Sequence, residues 1–216
     1  MGTVERRERE RDEIRRKIVD AARELFVREG YDRVTMRRIA EAIEYSATTI
    51  YNHFKDKDDL LEALCHEDFA RLLEALRTQP HPTSGVAQIR QLGLAYAQFG
   101  LSHPNHYRFM FLTPANHIDG HELSAPGQRS FELLRQAVQE AIDQGELLAG
   151  DAITMAQVMW ASLHGVVALL ITYRPEQFPQ APAAPDLVAQ VMENGIRGFL
   201  APIAAPAPAS ARARRR

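Results

Sequence analysis

Apolar residues recur at three- and four-residue intervals along most of the chain, and no stretch shows the strict alternation of a strand, so the expected fold is all-α. Ile14, Ile18, Ala21, Ala22, Leu25 and Phe26 make one stripe of a long first helix, and Gly30 stands where a left-handed C-cap is wanted. Thr35 precedes a short run in which Met36, Ile39, Ala40 and Ile43 keep helical spacing. Ser46 precedes a second, with Ile50, Tyr51 and Phe54 on its apolar or amphipathic side and Ala47, Thr48, Asn52 and His53 facing outward. A hydroxyl at either place can accept an orphan backbone N–H, so both residues read as N-caps. So short a helix is unstable alone and must be seated against its neighbours.

Beyond Lys57 the helical pattern continues. Leu60, Leu61, Leu64, Phe69, Leu72, Leu73 and Leu76 lie on one broad face of a helix over about residues 56–76, with Asp58 and Asp59 at its positive start. After Pro80 and Pro82 an amphipathic helix is expected over residues 86–101, then a short aromatic segment from His103 to Phe111. A polar loop follows to about residue 127. Phe131, Leu134, Val138 and Ile142 mark a helix ending near Gly145, and Asp151 starts a long one reaching about Tyr173. Residues 175–185 read as a proline-rich connection to a last helix carrying Leu187, Val191, Ile196 and Phe199. The chain thus divides into a three-helix head (1–57, its first residues expected to be disordered), a helical body (58–202) and a disordered Ala/Pro/Arg tail (203–216).

Two capped helices across a tight break, the second with small and hydroxylated outer side chains, outline a helix-turn-helix, which lays one helix in the DNA major groove. Over about residues 10–65 the head resembles the DNA-binding domain of the TetR family of bacterial transcriptional repressors. The resemblance rests on the long helix ending at Gly30, then T-x-R-x-I-A from Thr35, then S-x-T-T-I-Y-x-H-F-x-x-K-x-x-L from Ser46 to Leu60. There are two departures: Glu44 replaces the usual turn glycine, and Thr48 stands where glycine often precedes the helix Thr. A positive φ at Glu44 would cost about 1 kcal/mol.

The family pattern and the side-chain chemistry assign the same roles. Thr35, Ser46, Thr49, Tyr51, His53 and Lys57 are donors suited to phosphate oxygens, which fix position on the duplex without reading sequence. Arg37, Ala47, Thr48 and Asn52 can reach base edges: Arg suits guanine, Asn suits adenine, and the Ala or Thr methyl suits the thymine methyl.

Charge refines this picture. The net charge is only −2, but residues 1–57 hold 14 Lys+Arg against 12 Asp+Glu, residues 58–211 hold 8 against 16, and the last five residues hold four Arg. An acidic body behind a mildly basic head would orient the molecule on DNA. The basic and acidic N-terminus lacks the apolar core of a signal peptide, so a cytoplasmic protein is expected. The apolar stretch from Trp160 to Ile171 reads as a buried helix too short to span a bilayer. Cys65 is the one cysteine, which excludes an internal disulfide, and it is expected at a core boundary.

The body resembles a subgroup of TetR-like regulatory domains over about residues 85–200. Trp160 to Gly165 matches its W-x-x-x-H-G signature, and His103 to Phe111 resembles its H-P-x-x-Y-R-x-M-F run. Trp160 and His164 share a helix face, where they pack, with Gly165 letting a neighbouring helix approach. The sharper reading is a ligand cavity lined by Phe99, Tyr107, Phe109, Met110, Met159, Trp160 and His164, apolar with a few polar groups. His103 with His106, or His117 with His121, lack a carboxylate at ligand spacing, so no metal or other cofactor is expected. No nucleophile elbow, phosphate loop or paired carboxylate motif points to an enzyme.

In the family the last two helices pair across a two-fold axis. The resemblance therefore implies a homodimer reading a palindrome in double-stranded DNA, released by a small-molecule effector, with no membrane partner. The competing expectation is a soluble helical ligand-binding or enzymatic protein whose helix-turn-helix does not work.

Overall fold

The computed structural model describes residues 3–112, 124–173, 177 and 182–202. Helix α1 (Thr3–Glu29) buries Ile18, Val19, Ala22, Leu25 and Phe26 and stops at Gly30, whose φ of 82° is the left-handed conformation that glycine adopts without penalty. Next come α2 (Met36–Ala42) and α3 (Ala47–Tyr51), capped as expected: the Thr35 side chain accepts from the Arg38 N–H and the Ser46 side chain from the Thr49 N–H. Between them Glu44 stands at φ 60°, so the turn takes the glycine conformation without glycine. Helix α4 (Lys57–Arg77), capped by Asp56, crosses from head to body. Its Leu60, Leu61 and Leu64 belong to the core of the head, while Phe69, Leu72 and Leu76 belong to that of the body.

The body continues with α5 (Gly85–Ser102), short α6 (Pro104–Tyr107), a π-helical turn (Arg108–Leu112), α7 (Ala125–Asp143), α8 (Ala152–Thr172) and α9 (Ala184–Arg197). Two starts lie earlier than expected: α7 is capped by Ser124 with Pro126 in its first turn, and α9 carries Pro185 in its first turn. Proline is tolerated there because a first-turn N–H has no helical partner to lose. Among the described residues the pairing of Leu147 with Leu200 is an isolated bridge, tying the chain after α9 to the loop before α8. The greater part of the loop and of the proline-rich connection, the pair His117 and His121, and the tail 203–216 lie outside the described residues.

The expectation for α8 needs correction. It is 21 residues long and, by length and composition alone, apolar enough to cross a membrane. One side packs into the body through Met155, Ala156, Met159, Leu163, Val166 and Val167, whereas Ile153, Val158 and Leu169 are exposed. Gly165 faces open space: a Cβ built there meets nothing within 4 Å, so no neighbour in this chain requires the glycine. The close approach occurs at Gly100 instead, where a Cβ would come within 2.6 Å of Val167 and 2.8 Å of Tyr107.

Candidate nucleic-acid interface and effector cavity

The short helix α3 is held from below by Ile50 and Phe54, both buried in the head core, and its outer residues are left to solvent. Thr35, Arg37, Ser46, Thr48, Tyr51 and Asn52 are exposed, and Ala47, Thr49, His53 and Lys57 are half-buried. The capping oxygens of Thr35 and Ser46 accept backbone N–H groups, and the Ser46 and Thr49 hydroxyls lie 2.9 Å apart. Arg37 pairs with Glu41 at 3.2 Å, but both side chains are exposed, and such a pair is readily exchanged for another acceptor. Tyr51 is 55% exposed.

Lys57 departs from the picture of a free phosphate donor. Its ammonium donates to the carbonyls of Tyr31 and Val34 at 3.0 and 3.1 Å and lies 4.0 Å from the centre of the Tyr31 ring, so it closes the loop before α2 against α4. One of its three N–H donors remains. Partial burial, then the charges of Arg11 and Arg15, hold the His53 imidazole below its usual value, making it a neutral donor or acceptor at pH 7. Sequence reasoning missed these arginines, and Lys17 beside the exposed Tyr45 at 5.7 Å. They belong to a charge-dense run that reads as a solvated face, and only folding carries α1 past α3.

Head and body are joined by a buried charge cluster. Asp68 is fully buried and accepts from Arg23 of α1 through Nε at 2.9 Å and Nη2 at 2.8 Å. His106 of α6 meets the same carboxylate at 2.8 Å. Burial pulls the Arg23 guanidinium down, but the bonds to and charges of Asp68 and Asp20 outweigh it and leave the group above its usual value. This centre was also missed. The signal was present, because Asp68 falls on the apolar stripe of α4 between Leu64 and Leu72. Nearby, Phe109 of the π-helical turn enters the head core and stacks on Phe26 with ring centres 6.1 Å apart.

The adjoining cavity, about 650 Å³, lies among α4, α5, the π-helical turn, α7, α8 and α9. Phe109, Met110, Met159 and Trp160 line it as expected. Phe99, Tyr107 and His164 do not, because the rotation of α5, α6 and α8 turns them into the wall behind. Phe99 is buried against His103, and the fully buried Tyr107 hydroxyl lies 2.6 Å from His164 Nδ1 and 2.9 Å from the Tyr96 hydroxyl. Trp160 Nε1 donates to Tyr96 at 3.3 Å. Burial pushes the Tyr96 phenol up to about 12, raises Tyr107 further, and lowers His164, so the network is neutral. Liners that the sequence did not single out include Leu92, Phe131, Leu134, Leu163, Met192 and Ile196. Toward the head the lining passes to Phe26, Tyr31, Asp58, Leu61, Glu62, Cys65 and His66. Burial, then Asp68 and Glu62, push the Cys65 thiol up to about 11, so it is protonated at neutral pH.

Among the described residues no three His, Cys, Asp or Glu side chains converge as for a metal ion. His103 bonds the Phe99 carbonyl and His106 bonds Asp68.

Comparison with known proteins agrees with both halves. The model for bacterial regulatory proteins of the tetR family matches residues 18–64, and that for the tetracyclin repressor-like C-terminal domain matches residues 89–196. The HTH-type transcriptional repressor Rv1474c of Mycobacterium tuberculosis is 48% identical over 58 residues, covering 27% of this chain and 31% of that protein. The chain thus spans about a third of the length of such curated relatives. A Rhodococcus sp. RHA1 protein of unknown function shares the fold at TM-score 0.67 and 26% identity, covering 86% of this chain and 95% of its own. A regulatory protein in the tetR family, also from Rhodococcus RHA1, does so at TM-score 0.71 and 17% identity, covering 88% and 98%. Matched at its head by one family model and across half of its length by the other, the chain belongs to the TetR family of bacterial regulatory proteins.

Proposed function

We propose that the protein is a cytoplasmic, homodimeric transcriptional repressor that binds a palindromic operator and is released from it by a small molecule. We assign it no catalytic step. The observation that carries the reading is the continuity of the cavity with the head: Phe26 and Tyr31, beside the helix-turn-helix, share a lining with Met159, Trp160 and Met192 of the body. Tyr51, Ser46, Thr49, Thr35, His53 and the remaining N–H of Lys57 would hold phosphates, while Arg37, Ala47, Thr48 and Asn52 would read bases.

Dimerisation is supported by the outer face of α8. Val158, Ala161, Ser162, Gly165 and Leu169 recur there at helical spacing, with Val158 and Leu169 exposed and Gly165 facing open space. A second copy would cover that face and double the number of bases read. A ligand that better fits a separation of the two heads unsuited to the operator lowers DNA affinity by the same coupling free energy that DNA exerts on the ligand.

The test is a gel shift with the DNA upstream of the protein's own gene, with unrelated DNA as competitor and sedimentation to count subunits. A dimer that prefers one duplex sequence is expected. A monomer with salt-sensitive, sequence-indifferent binding would overturn the reading.

A further inference from the structure

Resting on the effector reading above, we propose that the cavity takes a lipophilic cation, its apolar body in the chamber and its positive nitrogen at the head end beside Asp58 and Glu62. Both carboxylates line that end together with Tyr31 and His66, and among the described residues the lining contains no lysine or arginine.

Both carboxylates are exposed, and no ion pair among the described residues neutralises them. The Asp58 carboxylate accepts from the Tyr31 hydroxyl, a neutral donor, and Glu62 makes no ion pair among the described residues. Lys57, the nearest cation in sequence, is turned away to the carbonyls of Tyr31 and Val34. Burial and then Asp58, followed by the charges of Asp56 and Asp32, raise the Tyr31 phenol, so it stays a neutral donor to Asp58. The rest of the chamber is apolar and aromatic, with Phe69, Phe111, Phe131 and Trp160 offering ring faces and edges to an apolar chain. An anion would meet like charge at the head end, and a neutral chain would gain nothing from it. A cation gains from both surfaces.

Trp160 is the only tryptophan of the sequence and lines the chamber, so its fluorescence reports occupancy without DNA. The probes are dodecyltrimethylammonium, dodecanol and dodecanoate, each below its micelle concentration. The cation is expected to bind about tenfold more tightly than either of the others, the scale of a partly solvated charge contact. Glu62→Gln should weaken the cation about fivefold and leave dodecanol within about twofold, and the double variant with Asp58→Asn should erase the preference. Circular dichroism checks that the variants fold. Equal affinity for the three probes, a preference for dodecanoate, or an unchanged preference in the double variant would overturn the proposal. A cation that binds with the expected preference yet leaves the operator complex intact supports the proposal and counts against the effector reading alone.

Discussion

Replacing Asp68 by alanine strands Arg23 in the joint between head and body. The two side chains are 0% and 4% exposed and share a pair of N–H to carboxylate bonds, so the guanidinium would stay buried without its main counter-charge. Removing one partner of such a pair costs about 3–5 kcal/mol, far more than the pair adds over an apolar substitute. Asp20 also bonds Arg23 at 2.8 Å, but it is 63% exposed, and a solvated pair of that kind returns about 0–1 kcal/mol. His106 loses its acceptor as well, for about 1 kcal/mol more. The expected cost of Asp68→Ala is therefore about 3–5 kcal/mol, a large share of the roughly 5–15 kcal/mol that holds a typical fold. Urea unfolding at one fixed protein concentration measures it, since the stability of a dimer depends on concentration. The double variant Arg23→Met with Asp68→Leu removes both charges and should return to within about 2 kcal/mol of the parent. A cost below about 1 kcal/mol for Asp68→Ala, or a double variant as unstable as the single changes added together, would refute the account.

Three other outcomes are expected. Tyr51→Phe should weaken binding alike across operator variants, by about 1 kcal/mol, whereas Arg37→Ala should relax selectivity at one base position; quantitative gel shifts with a set of single-base operators separate the two, and uniform losses for both would contradict the assignment. Glu44→Gly should stabilise the head by about 1 kcal/mol, because the residue sits at φ 60° where a side chain is penalised, and a lowered melting temperature would contradict it. His164 and His53 are both held below the usual imidazole value by burial, so the folded protein binds fewer protons than the unfolded chain in the acid window. Their contribution is complete above about pH 6.5 and is lost as pH falls toward their lowered folded values; His164→Gln should flatten the fall of stability below about pH 6.5, and an unchanged slope would exclude His164 as a source.

The features legible in the sequence are those whose physics is local. Thr35 and Ser46 cap their helices through bonds to residues three positions on, and Gly30 ends α1 through its own φ. The apolar faces of α1, α4 and α5 follow from a fixed helical period, so the all-α class and the helix-turn-helix could be read without knowing how the helices meet. The turn at Glu44 shows the limit of residue preference: the packing of α2 and α3 imposes a glycine conformation on a glutamate. Of the candidate ligand residues, Phe109, Met110, Met159 and Trp160 face the cavity and Phe99, Tyr107 and His164 do not, a division that spacing along one helix cannot supply.

By itself, then, the chain determined which segments are helical, where they stop, and that α3 presents small polar side chains outward, because hydrogen bonds and side-chain periodicity over a few residues suffice. Only the tertiary structure decided that Lys57 turns inward, that Arg23, Asp68 and His106 share one buried centre, and that two carboxylates, with no lysine or arginine among the described lining residues, line one end of the cavity. Each depends on the mutual rotation and crossing of helices distant in sequence. That is set by the simultaneous packing of side chains from all of them and is encoded in no single stretch.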